Sequence, residues 1–152
     1  MEKGEMVMQP GAFTAALNDE IKQTSNIDSF LERNQELMVK QSLRDHLDFL
    51  LMQKGLTIAE VVRGSQMNRS YVYQIFSGEK KPSRDKLAAI AFGMRLSAEE
   101  TQQMLKLSGN RELYVRDERD ALILFALHKN YDICRANALL YDHNFKILGT
   151  PD

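Results

Sequence analysis

Residues 56–83, LTIAEVVRGSQMNRSYVYQIFSGEKKPS, constrain this chain more than any other stretch. Thr57 and Glu60 form a capping-box start for a short helix carrying Ile58, Val61 and Val62. A turn follows near residues 65–67. Asn68 is placed to cap a second helix running to Ser77, with Gly78 where left-handed backbone ends it. Helices of about eight to ten residues do not persist alone in water, because nucleation is costly and few hydrogen bonds offset it. The pair must therefore be mounted on other helices, which the rest of the chain has to supply.

It does so on both sides. Ser42 with Asp45 starts a helix whose Leu43, Leu47, Leu50 and Leu51 face one way until Gly55 ends it. Pro82 and Ser83 stop the exit loop and cap a helix holding Leu87, Ile90, Ala91 and Met94. Ser97 with Glu100 begins another, with Met104, Leu105 and Leu107, closed by Gly109. Upstream, residues 1–11, with Gly4, Pro10 and Gly11 and no period, are expected to be a loose tail. Phe13, Ala16, Leu17 and Ile21 then keep helical spacing over residues 12–23. A further helix begins near Asn26 or Asp28, with Ile27, Phe30, Leu31, Leu37 and Met38 on one face and Glu32, Arg33 and Glu36 on the other.

Downstream, residues 121–127 are an unbroken apolar run that periodicity alone cannot assign; its Leu and Ala content and charged flanks favour a buried helix. Asp132 is placed to cap a last helix with Ile133, Ala136, Leu139, Leu140 and His143, ended by Asn144. No segment shows the β-branched alternation of a strand. The expected fold is all-α: residues 1–40 as tail and accessory helices, 41–110 as the central domain, and 111–152 as a helical extension packed on it.

The net charge of -1 gives no overall attraction to polyanions, so any basic site must be local. Divided at the expected helix boundaries, only residues 63–86 are positive, with Arg63, Arg69, Lys80, Lys81, Arg84 and Lys86 against Glu79 and Asp85. Cys134 is the single cysteine, which excludes an intrachain disulfide and suits a reducing compartment. With no basic leader and no run of about 18 apolar residues, a soluble cytoplasmic protein without membrane contact is expected. His128, Cys134 and His143 match no standard zinc spacing and read as core or boundary residues. Neither a nucleophile motif nor a phosphate-cradling glycine loop is present, so neither catalysis nor a cofactor is expected.

The second helix of the central pair has two faces. At 100° per residue, Val72, Ile75 and Phe76 fall on one side, while Ser70, Tyr73, Gln74 and Ser77 fall on the other, flanked by Arg69 and Tyr71. Arg and Gln are the side chains that pair with guanine and adenine edges. Two short helices and a tight turn have the dimensions of the helix-turn-helix unit, whose second helix enters the major groove.

The segments LTIAEVV, NRSYVYQIFSGEKKPS and DKLAAIAFGMRLSAEETQQML together resemble the five-helix DNA-binding domain of the phage-repressor and Cro-like (Xre) family, over residues 42–109. The resemblance implies base-reading positions at Asn68, Arg69, Ser70, Tyr73 and Gln74. Phosphate contacts are expected from Thr57, Ser77, Lys80, Lys81, Ser83, Arg84 and Lys86. It also implies a homodimer on paired half-sites of double-stranded DNA, controlling transcription. Two positions depart from the family pattern. Ile58 stands where many members have a phosphate-contacting Gln, and Gln66 stands where the turn commonly has Gly. Either Gln66 takes left-handed backbone or the turn differs. The segment after Gly109, with LYVRDERDALILFAL, is similar to a tail found in a subgroup of bacterial helix-turn-helix proteins; it implies no activity, and its charges are expected to be solvated. The alternative reading is a protein-interaction adaptor or antitoxin-like module that reuses the helix-turn-helix frame and docks a protein through its outward face or through the N- or C-terminal helices.

Overall fold

The computed structural model describes residues 10–35, 38 and 42–149, among which there are nine helices and no strand. They fall into two units, residues 1–40 and 41–152.

The first unit holds α1 (Pro10–Gln23) and α2 (Ile27–Arg33). The Asn26 side chain caps α2 by accepting from the Ser29 N–H. Arg33 and Asn34 both donate to the Glu20 carboxylate, at 2.6 and 3.2 Å, which ties the two helices together. Those hydrogen bonds, Arg33's foremost, hold the Glu20 carboxyl below its ordinary pKa. Helix α2 stops sooner than its apolar stripe suggests. The Asn34 side chain takes the Phe30 carbonyl at 2.9 Å, a local bond that competes with another helical turn. Phe30 is buried, but Ile27 and Leu31 stay exposed. Leu37, Glu36, the Phe13 side chain and residues 1–9 of the expected tail lie outside the described residues.

The second unit holds α3 (Leu43–Lys54), α4 (Ile58–Ser65), α5 (Arg69–Phe76), α6 (Arg84–Gly93), α7 (Ala98–Leu107), α8 (Glu118–His128) and α9 (Ile133–Asp142). Ser42, Thr57, Asn68, Ser83, Ser97 and Asp132 cap their helices, each accepting from the backbone N–H three residues on. Asp117 does the same for α8. The central element is α6, buried without interruption from Leu87 to Gly93 and packed against α4, α7 and α9. Helices α4 and α6 cross with backbones almost touching: a β-carbon on Gly64 would lie 2.9 Å from the Gly93 Cα.

The apolar run at 121–127 is helical, with Ile123, Ala126 and Leu127 buried and Phe125 left exposed. After α9 the chain turns back. The Asn137 side-chain amide pairs with both the N–H and the carbonyl of Leu148, each at 2.8 Å, and Leu148 is buried. Gly149 then lies so close to the end of α4 that a β-carbon on it would fall 2.2 Å from the Ser65 carbonyl oxygen.

The charges of the segment after Gly109 are not all solvated. Asp120 is buried, accepting from Arg84 and from the Tyr114 N–H, and Arg119 makes a two-pronged pair with Asp85 at 2.9 and 3.0 Å. Of the four Arg-Asp doublets in the sequence, at 44–45, 84–85, 116–117 and 119–120, those at 84–85 on α6 and 119–120 on α8 exchange partners, each arginine taking the other doublet's aspartate. The expectation of solvated charge failed because nothing local in the sequence brings residue 120 to residue 84.

His46 on α3 is buried, and burial pulls its pKa below the ordinary value near 6.5, against a weaker upward pull from Glu100. The unfolded imidazole therefore binds a proton at a pH where the folded one does not, so stability falls as pH drops below about 6.5. Burial pushes the Glu100 carboxyl up, but the Ser97 N–H and Lys54 ammonium outweigh it and leave Glu100 below its ordinary value of 4.5. Its stability contribution is lost only at lower pH, which separates the two groups. Thermal midpoints measured between about pH 7.5 and 5.5 should decline with acidification. His46→Gln should flatten that decline; an unchanged slope in the variant would assign the effect elsewhere.

Candidate nucleic-acid interface

Helix α5 owes its orientation to Val72, Ile75 and Phe76, all under 4% exposed, which fix it against α3 and α4. This burial turns Arg69, Ser70, Tyr73 and Ser77 outward, with Gln74 half-buried at the edge. At the helix start the Asn68 Oδ1 accepts from the Tyr71 N–H at 3.1 Å, so its amide nitrogen remains as a donor. The Arg69 guanidinium lies 5.0 Å from the Tyr73 ring centroid and donates to the Tyr73 hydroxyl at 3.4 Å. Contact with a planar ring one turn on narrows the arginine's rotamer freedom.

Gln66 takes left-handed backbone, φ 57, as the C-cap residue of α4. For a residue other than Gly this costs on the order of 1–2 kcal/mol. Its side chain is held by the extension, since Nε2 donates to the Cys134 Sγ on α9 at 2.8 Å.

The expected phosphate contacts divide by environment. Lys80 and Lys81 are exposed on the exit loop. The hydroxyls of Thr57, Ser77 and Ser83 bond within helix caps: Thr57 to Glu60, Ser77 to the Gln74 carbonyl, and Ser83 as acceptor from the Lys86 N–H. The Glu60 carboxyl, receiving the Thr57 N–H and hydroxyl, is held below its ordinary pKa. Lys86 lies over the Tyr71 ring at 4.8 Å, and Ile58 is half-buried.

Arg84 does not stand with Lys80 and Lys81. Its guanidinium turns inward to Asp120 and to the carbonyls of Arg111 and Glu112, leaving 17% of the side chain exposed. A buried carboxylate in low dielectric holds an arginine more strongly than a solvated loop position does.

The extension also places basic residues beside the first turn of α6. Arg111 lies beside Arg84 and Lys146 beside Ser83 and Lys86. Sequence spacing carries no signal for this junction, because the Arg-Asp doublet found at 84–85 and 119–120 also occurs at 44–45 and 116–117.

Residues 49–100, about a third of the chain, match the family model described as helix-turn-helix, of the Cro and C1 repressor type. No curated protein and no solved structure matches the chain. The match ends before α8, so it does not speak for the extension. Among the described residues, no helix is long and apolar enough to cross a membrane.

Proposed function

We propose, from the premise that residues 49–100 of this chain belong to the phage-repressor-like helix-turn-helix family of DNA-binding regulators, that the protein reads double-stranded DNA sequence-specifically through α5. The observation that carries this is the outward face of α5, where Arg69, Ser70, Tyr73 and Gln74 stand over a fully buried opposite face. Helix α5 enters the major groove. Arg69 pairs with a guanine and Gln74 with an adjacent base, Asn68 and Ser70 reach the neighbouring edges, and Tyr73 contacts a thymine methyl or a phosphate. Lys80 and Lys81 anchor the exit loop on one strand, while Thr57, Ser77 and Ser83 present capped backbone to it. Arg84 belongs to the frame rather than to the phosphate contacts.

A single reading helix spans few base pairs, so the working form is a homodimer on paired half-sites in the cytoplasm. Exposed Phe125 and Tyr141 on the extension supply apolar surface for a second copy or another protein partner.

Selection from random duplexes, with affinity read by fluorescence anisotropy at physiological salt, should return a sequence bound well above bulk DNA. On that sequence Arg69→Ala should lose about 1–3 kcal/mol and relax one base position, while Lys81→Ala should weaken every sequence alike. A flat selection together with a monomeric solution mass would replace this reading by the protein-interaction one.

A further inference from the structure

We propose that the C-terminal extension widens the DNA-contact surface beyond the helix-turn-helix segment, with Arg111 and Lys146 as two added phosphate contacts on either side of the first turn of α6. The inference rests on the DNA-binding reading given above.

Helix α6 starts directly after the basic exit loop, and its first turn lies beside the start of α5. A small cleft joins Met67, just before α5, to Ser83, Lys86 and Lys146, and Lys86 itself lies over Tyr71. Lys146 is thus next to the start of the reading helix, and Arg111 is tied to Arg84 on the same first turn of α6. Two arginines fix the backbone of the flanking residues. Arg84 donates through Nε to the Arg111 carbonyl at 2.7 Å. Arg119 donates through Nε and a terminal nitrogen to the Lys146 carbonyl at 3.1 and 3.0 Å. The same two arginines are locked by Asp120 and Asp85, so the mounts are rigid.

The charge accounting follows from this arrangement. Arg84 and Arg119 are neutralised by their aspartates, whereas Arg111 and Lys146 are exposed, and neither is paired with a carboxylate among the described residues. Arg111 also lines an open cleft of about 540 Å³ with Arg84, Arg116 and Arg119. Of the acids there, Asp120 is bound to Arg84 and Asp117 caps α8, which leaves Glu118 as the remaining acid of the cleft beside Arg111 and Arg116 in its lining. The extension thus takes the charge of Arg84 out of play and returns exposed cations beside it, displaced along the duplex backbone from Lys80 and Lys81.

The test is a salt titration of the full chain on its selected duplex, or on random duplex if the selection is flat, for wild type, Arg111→Ala, Lys146→Ala and the double variant. Lys81→Ala serves as a positive control and Lys129→Ala, at the far end of α8, as a neutral one. Each lost phosphate contact lowers the log–log salt slope by about one, so the ratio of Kd at 200 mM to Kd at 50 mM salt should fall about threefold per single variant and about tenfold in the double. Thermal midpoints should stay at the wild-type value, since both side chains project into solvent. If Lys81→Ala lowers the slope while Arg111→Ala and Lys146→Ala do not, the extension makes no phosphate contact and the inference fails by itself. If wild type shows no salt-dependent DNA binding, the DNA-binding reading fails with it.

Discussion

Gly93→Ala should destabilise the second unit by about 3 kcal/mol, although alanine is the better helix former by about 1 kcal/mol. An added β-carbon would lie 2.7 Å from the Val61 carbonyl oxygen, 3.0 Å from the Ser65 nitrogen and 3.2 Å from the Ser65 Cβ. The first two are backbone atoms of α4, which no rotamer change can move. The helices must separate, and Val61 and Ile90, both fully buried, then lose packing on each side of the crossing. The expected result is a lower urea midpoint with an unchanged slope of free energy on denaturant. Gly109→Ala separates space from backbone conformation, because Gly109 sits at φ 80 with nothing within 4 Å of the added atom. It should lose only about 1 kcal/mol. A Gly93→Ala protein as stable as wild type would show that α4 and α6 are not held at this distance.

Loss of the Asp120 carboxylate should have an effect of similar size. Asp120→Ala leaves the Arg84 guanidinium, 17% exposed, without its counter-charge and strips the Tyr114 N–H of its acceptor. Removing one member of a largely buried pair costs about 3 kcal/mol, most of it the penalty for the charge left behind. That corresponds to a thermal midpoint lower by on the order of 10 °C for a unit of this size. Asp120→Asn keeps an acceptor for one donor and should fall between wild type and alanine. The double replacement Arg84→Met with Asp120→Leu removes both charges and should recover much of the loss, as apolar substitutes for buried pairs do. If the alanine variant stays within about 0.5 kcal/mol of wild type, water reaches Arg84 and the junction is not dry.

Much of the framework was legible from residues alone. The helix starts at Ser42, Thr57, Asn68, Ser83, Ser97 and Asp132 are local chemistry, each a side-chain oxygen and a backbone N–H three residues apart. The inside and outside of α5 follow from helical periodicity, and the family resemblance over residues 42–109 overlaps the segment the family model matches. Helix α2 was overestimated because a single asparagine amide ended it, a competition that apolar spacing does not register. The surroundings of Arg84 were not legible either. Its position beside two lysines looks like a basic loop in sequence, and only the approach of α8 gives its guanidinium a buried partner.

What this sequence determined by itself is the set of helices, their caps, and the face that α5 turns outward, because each depends on interactions within about one helical turn. Tertiary structure alone decided which of the basic residues remain available. Arg84 and Arg119 are neutralised across 36 and 34 residues of chain, while Arg111 and Lys146 are carried to the start of α6 by the same contacts. Charge acts through space, and a pairing between residues so far apart in sequence leaves no periodic trace in either segment.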